Sequence, residues 1–415
     1  MVRARDDAVP RHYRDVSLAS DSVTQRNTGR YERTSAGGEQ VAAFIPHPLP
    51  PTDPPIILDG ALVAKLHAAE HALARLSLAG EMVPSLDWFI YAFVRKEAVL
   101  SSQIEGTQAT LVDLLNFEAQ NAVGGTPATA DVEEVCNHLD ALTYARSELA
   151  NPAGLPLSMR LLNESHGRLM RGVRGADKQP GSVRRSQNWI GGSRPGNAAF
   201  VPPPPHALPE LLSALERYLH ADDTLPALVR AGLLHVQFET IHPYLDGNGR
   251  IGRLLVTLLL EHWNLLDQPL LYLSLYFKRH RSDYYRHLSA VRTDGDWEGW
   301  LEFFLDGVAA IAAEAVDSAR KLFALVAADR ERVLAHPGSS VFSMRLFERL
   351  PRLPIVTIAS VMKLLDTTKP TAGRTVDALV DAGVLVETTG RKRDRAWAYQ
   401  RYLDGLREGT ELDGR

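Results

Sequence analysis

One twelve-residue run restricts this chain more than any other: His242-Pro243-Tyr244-Leu245-Asp246-Gly247-Asn248-Gly249-Arg250-Ile251-Gly252-Arg253. It reads as a histidine on a loop, a carboxylate four residues on, and a Gly-Asn-Gly turn opening a helix with two arginines in its first two turns. Small residues at a helix N-terminus let backbone N–H groups converge on an anion, and the helix dipole favours negative charge there. Arg250 and Arg253, three apart, share one stripe, while Ile251, Leu254, Leu255, Leu258 and Leu259 form the neighbouring apolar stripe that anchors the helix in a core. The run therefore offers an anion cradle at Gly247, Asn248 and Gly249 and two guanidiniums. Asp246 adds a carboxylate suited to a hard cation, and His242 a base that titrates near neutrality. Taken singly, Gly-Asn-Gly is usually a turn and His-Pro is usually structural. The Gly-Lys-Ser/Thr element of a P-loop is missing. The combination at this spacing suits one phosphate site.

The run resembles the signature of the Fic (filamentation-induced-by-cAMP) domain, His-Pro-Phe-x-Asp/Glu-Gly-Asn-Gly-Arg-x-x-Arg, with Tyr244 for the usual Phe as the single departure. The resemblance implies a helical bundle that transfers AMP from ATP to a Ser, Thr or Tyr hydroxyl of a protein, the chain itself included, and releases pyrophosphate. It implies His242 as general base, Asp246 holding Mg²⁺ against the α- and β-phosphates, Gly247, Asn248 and Gly249 as the cradle, and Arg250 and Arg253 on the β/γ side. Two short β-prone pieces between Gly181 and Pro205, around a Gly/Pro/Asn tip, suit either a hairpin flap or an irregular loop on local grounds; the resemblance implies the flap, which the family uses to hold the target segment by strand pairing.

A second motif, Ser101-Ser102-Gln103-Ile104-Glu105-Gly106, resembles the inhibitory Ser/Thr-x-x-x-Glu-Gly/Asn of autoinhibited family members, in the class with an N-terminal inhibitory helix. Ile90, Val94, Ala98, Ser101 and Glu105 step by four, four, three and four, so Glu105 extends an inward-looking helical face and needs a cationic partner. Arg253 in a bidentate pair is the expected partner, which would deny that guanidinium to the γ-phosphate.

The remaining chain is mainly α. Residues 1–40 are polar and aperiodic and read as a disordered or loosely attached tail; 41–130 is an N-terminal helical region with the inhibitory helix; 131–330 is the catalytic core. Apolar residues at Leu62, Leu66, Ala69, Leu73 and Leu76 mark the first helix. Across 335–405, three short helices and two strands around the basic tip Arg391-Lys392-Arg393-Asp394-Arg395 describe a winged helix-turn-helix domain that could contact DNA phosphates or a protein. Aromatics from Tyr272 to Tyr285 suit either core or an adenine pocket, and His235 reads as a packed histidine.

A formal net charge of −4 argues against a surface that coats nucleic acid, and one cysteine, Cys136, excludes an internal disulfide or a multi-thiolate zinc site. No run approaches the roughly 20 apolar residues of a membrane span, and nothing marks an export signal, so the cytoplasm is expected. Homodimerisation is a further expected layer of control. Two other readings stay open: the same site removing AMP or transferring another phosphate-containing group, and a DNA-binding regulator that only senses nucleotide.

Overall fold

The computed structural model describes residues 26–81, 86–121, 128–390 and 395–412. Its centre is a helical pair, α7 (Ala227–Ile241) and α8 (Asn248–His262), joined by the first six residues of the run, His242 to Gly247. Apolar residues fall on every side of α7, so it is buried along nearly its whole length, polar His235, Gln237 and Glu239 included, as is α8 as far as Leu260. The pair is encased by α2 (Leu86–Ile104), α4 (Ala130–Ala150), α5 (Met159–Leu169), α6 (Leu208–His220) and α10 (Arg281–Thr293). A 39-residue helix, α11 (Trp297–Ala335), packs on α7 and on α1 (Gly60–Glu81), whose Leu62, Leu66, Ala69, Leu73 and Leu76 are all buried. Two short helices, α3 (Leu111–Asn121) and α9 (Ser274–Arg279), fill corners that the helical periodicity of the sequence does not reveal.

At about 60 Å, α11 is long enough to carry a second unit on its C-terminal half. That unit is α12 (Val341–Phe347), β3 (Ile355–Thr357), α13 (Ile358–Leu365), α14 (Lys369–Asp381), β4 (Val386–Glu387) and β5 (Ala396–Ala398). The strands form an antiparallel sheet in the order β3-β5-β4, so a third strand joins the two expected from the sequence. Three residues long, β3 is too short for a period-2 signal. The unit is fastened to α11 by Asp329, which is fully buried, accepts from Tyr399 Oη at 2.7 Å, and pairs with Arg401. A last helix, α15 (Gln400–Arg407), turns back onto α2, α3 and α11. The basic tip falls outside the described residues as far as Asp394. Among the described residues, no helix is long and apolar enough to cross a membrane.

Two expectations need correction. The tail is not loose over 26–40: Arg26 pairs with Glu298, and β1 (Gly29–Ala36) and β2 (Glu39–Pro46) form an antiparallel hairpin. Ala36, Val41 and Ala43 pack with Val201, Phe44 meets Tyr31 and Phe200, and Ile45 joins the main core, so β2 is buried on both faces from Ala43 onward and shows no clean alternation. The flap is also less regular than a hairpin. It contains a single bridge, Ile190 to Phe200, with a 3-10 turn at Pro195–Asn197 between them. Beyond the bridge, Val201 O is taken by Phe44 N of β2 at 2.9 Å, and the prolines from Pro202 onward have no N–H to continue a ladder.

Candidate active site

The α7 helix ends on His242, which adopts the left-handed conformation (φ 51°, ψ 62°) and donates its N–H to Phe238 O at 2.9 Å. That geometry is uncommon for a residue with a side chain. It reverses the chain, so the imidazole stands beside the entrance to α8. Tyr244 then plunges into the core and stacks on His166 with centroids 3.9 Å apart. The hydroxyl that distinguishes it from Phe donates to Asn163 Oδ1 at 2.8 Å, so the substitution is satisfied.

Asn248 fixes the loop by a reciprocal pair: its Oδ1 accepts from Tyr244 N and its Nδ2 donates to Tyr244 O, both at 2.8 Å. Its side chain is therefore committed to the loop, and only its backbone can face an anion. Gly247, the N-cap of α8, has φ 77°, and a Cβ there would lie 2.9 Å from Met170 Sδ; only glycine fits. Asp246 Oδ1 accepts Gly247 N at 2.6 Å, while Oδ2 has no hydrogen-bond partner among the described residues. One available carboxylate oxygen fits Mg²⁺, which takes one or two carboxylates and completes its shell with phosphates and water. Among the described residues, no cluster of three His, Cys, Asp or Glu could hold a metal unaided.

Arg250 is 1% exposed, yet its Nε and Nη1 lack hydrogen-bond partners among the described residues. The nearest carboxylate oxygens are Glu134 Oε2 at 3.5 Å and Asp246 Oδ1 at 3.9 Å. A buried guanidinium with unused donors is costly unless an anion comes to it. Arg253, 2% exposed, is the opposite case: Nε donates to Ser101 Oγ, and Nη2 to Ser101 O and Glu105 Oε1, at 2.9, 2.9 and 2.7 Å. Glu105 thus meets the expected partner, but through one nitrogen. The bidentate expectation fails because Ser101, one turn earlier on the same face, takes the Nε edge of the fork. The Glu105 carboxylate also lies directly over Gly249, where any Cβ would collide with it.

The charges explain the titration directions. Burial pushes the Glu105 carboxyl up, but Arg253, Arg250 and His242 outweigh it and hold it below the usual range. Burial, then the nearby Arg184 cation, brings His242 down to about 4, so its ring is neutral at physiological pH and can accept a proton. Burial pushes Glu239 and Glu97 up to about 7.

Several residues of the site escape sequence reasoning. His166 accepts Gly181 N on Nδ1 at 2.9 Å, so its Nε2 carries the hydrogen donated to Asp246 O at 3.0 Å. Arg184 and Glu239 border His242 from the flap base and the preceding turn. Glu134 had a signal: with His138, Ala141 and Ala145 it steps four, three and four on a buried stripe of α4. Of the aromatics weighed for adenine, Tyr272, Phe277 and Tyr284 are core, and Tyr285 alone is exposed. His235 is packed, bonded to Gly252 O and Tyr284 Oη.

Fold and site together define a helical domain in which one loop sets His242 and Asp246 beside a glycine-lined helix N-terminus and two buried arginines. Residues 63–147 match the family model "Fic/DOC family N-terminal" and residues 156–260 match "Fic/DOC family". Among curated proteins, it is 35% identical over 88 residues (21% of this chain, 26% of the relative) to "Probable protein adenylyltransferase aq_aa38" of Aquifex aeolicus. It is 30% identical over 206 residues (49% of this chain, 38% of the relative) to "Protein adenylyltransferase Fic" of Drosophila erecta. The matches therefore span well under half of either relative. A crystal structure of a Fic family protein from Desulfovibrio desulfuricans G20 has the same fold, with TM-score 0.54 and 22% identity, over 83% of this chain and 97% of that one.

Proposed function

We propose that this chain is a protein adenylyltransferase restrained by its own α2 helix. The observation that carries the reading is the pair of unpartnered donors on buried Arg250, beside a glycine-lined helix N-terminus and a neutral His242. These groups suit the phosphates of ATP, and the names of the two curated relatives point to the same chemistry.

In the reaction, the imidazole of His242 takes the proton of a target Ser, Thr or Tyr hydroxyl as its oxygen attacks the α-phosphorus. The α-phosphorus bond to the bridging oxygen breaks, and pyrophosphate leaves with the electron pair. The first turn of α8 and Arg250 hold the nucleotide and face the charge that builds on the leaving group. Mg²⁺, held by Asp246, would supply further neutralisation of the phosphates. Arg253 is the second cation for that charge, and Glu105 keeps it engaged; pairing on α2 therefore restrains the transfer. The chain itself is one candidate target.

The test is intact-mass spectrometry of the Glu105→Gly protein with ATP and Mg²⁺. We expect an added AMP, at a rate ten- to a hundred-fold above wild type, since a charge-assisted hydrogen bond is worth about 1.5–3 kcal/mol. No adduct on the chain or on proteins of a lysate would remove the reading; equal rates in both proteins would remove the restraint alone.

The C-terminal unit supports a second, separate role. Its order of helices and strands supports the winged-helix reading, and Lys369 and Arg374 on α14 are exposed. A salt-dependent shift of duplex DNA that disappears with Lys369→Ala and Arg374→Ala would establish it.

A further inference from the structure

His242 is a residue in an unfavourable backbone conformation, at the negative end of a helix, next to a cation. The cation is Arg184, at the base of the flap and 2% exposed. Its Nε donates to His242 O at 2.9 Å. Its Nη2 donates to Pro203 O at 2.6 Å and Ile241 O at 3.5 Å, and its Nη1 to Ser186 O at 3.3 Å. Its backbone N–H donates to Pro243 O at 2.9 Å. Every acceptor is a backbone carbonyl, and the guanidinium forms no ion pair among the described residues.

We propose that Arg184 is the positioning residue for the general base: its fork clamps the left-handed turn at His242 to both arms of the flap, and its charge lies against that turn without a counter-ion among the described residues. This rests on the adenylyl-transfer reading for its consequence, not for its geometry.

The argument has three parts. The last carbonyls of a helix have no helical partners, and a cation is favoured at that end by the dipole. Ile241 and His242 carry such carbonyls, so Arg184 caps α7 where the turn must be held. Second, Ser186 and Pro203 lie on the rising and falling arms of the flap, on either side of the Ile190–Phe200 bridge. One side chain therefore sets the distance between the base and whatever the flap presents. Only a planar guanidinium reaches four carbonyls of different direction at once; an ammonium cannot. Third, the charge has no internal counter-ion. The groups facing His242 are Arg184 from the flap base, Arg292 from α10 and Glu105 from α2, with the Glu239 carbonyl of α7 alongside. Arg184 and Arg292 both oppose protonation, and of the two Arg184 acts more strongly. Incoming phosphates bring negative charge that works the other way, so the base gains proton affinity when substrate is present.

The experiment uses the full-length chain with isotope-labelled histidine, comparing wild type, Arg184→Lys and Arg184→Gln by NMR, with His242→Ala assigning the resonance. Arg184→Gln removes the charge, and the His242 midpoint is expected to rise by about one pH unit or more. Arg184→Lys keeps the charge and loses the fork. Its midpoint stays within a few tenths of a unit of wild type, but the His242 backbone shifts leave the left-handed range. In the Glu105→Gly background, Arg184→Lys lowers kcat at least tenfold with the KM for ATP within twofold. An unchanged midpoint in Arg184→Gln overturns the electrostatic part; unchanged His242 backbone shifts in Arg184→Lys overturn the clamp. Should Arg184→Gln not fold, a midpoint in Arg184→Lys that rises as the fork is lost overturns the charge argument by itself. If the Glu105→Gly enzyme forms no AMP adduct, the adenylyl-transfer reading fails, while both titration results still decide the role of Arg184.

Discussion

The two halves of the anion site, one helical turn apart on α8, hold the same side chain in opposite circumstances. Around Arg250, the walls are Glu134, Met170 and Asp246 at loose distances, and two guanidinium nitrogens make no hydrogen bond among the described residues. Around Arg253, the α2 helix supplies a serine hydroxyl, its carbonyl and the Glu105 carboxylate, all within hydrogen-bond distance. Burial and residue type are equal, so the difference lies in what a neighbouring helix brings. One guanidinium keeps hydrogen-bond donors that the proposed nucleotide would take; the other already has close partners on α2.

The largest effect separates both halves from the chemistry. Adding His242→Ala to Glu105→Gly should lower the rate of AMP incorporation by 10²–10⁴-fold, with ATP affinity by calorimetry within a few-fold. Parallel loss of affinity would mean that the histidine belongs to the binding half.

A smaller effect divides the halves from each other. In wild type, Arg250→Met should weaken ATP binding about tenfold, the worth of one charge-assisted contact. Arg253→Met should change it little while Glu105 occupies that guanidinium, and tenfold once Glu105→Gly has freed it. Equal losses in wild type would erase the distinction between the two arginines.

The smallest concerns Glu239, buried behind the Arg253 half with Oε1 lacking a partner among the described residues. Its carboxyl is raised to about 7 in the fold against an ordinary 4.5, so the folded state holds the proton more tightly. That contribution is fully present below the ordinary value and fades as pH rises through 7, a loss of up to about 3 kcal/mol. Glu239→Gln has no such loss. Its melting temperature relative to wild type should therefore climb between pH 5 and pH 8; a constant difference would show that Glu239 ionises without penalty.

What the sequence discloses follows the range of the interactions. The loop and both arginines are contiguous, and Glu105 sits on a stripe whose period needs only a helix. Both are local, and both are legible. The Arg184 fork spans 58 residues to His242 and the His166 bond 80 residues to Asp246, and no spacing rule reaches so far. The failed bidentate pair has the same origin. The sequence shows that Glu105 needs a cation, but not that Ser101 reaches the same fork first. The β1–β2 hairpin is missed because Ala43 to Pro46 are buried on both faces of β2, which erases the alternation a half-buried strand would print.

Gly249 carries one further consequence, a mutational one. Any side chain there would strike Glu105 and come within 2.9 Å of Arg253 Nη1. A substitution in the loop that dislodged the restraint would thus plug the phosphate position in the same stroke. On the adenylyl-transfer reading, relief of the restraint is therefore expected from changes on α2 and not from a side chain at Gly249.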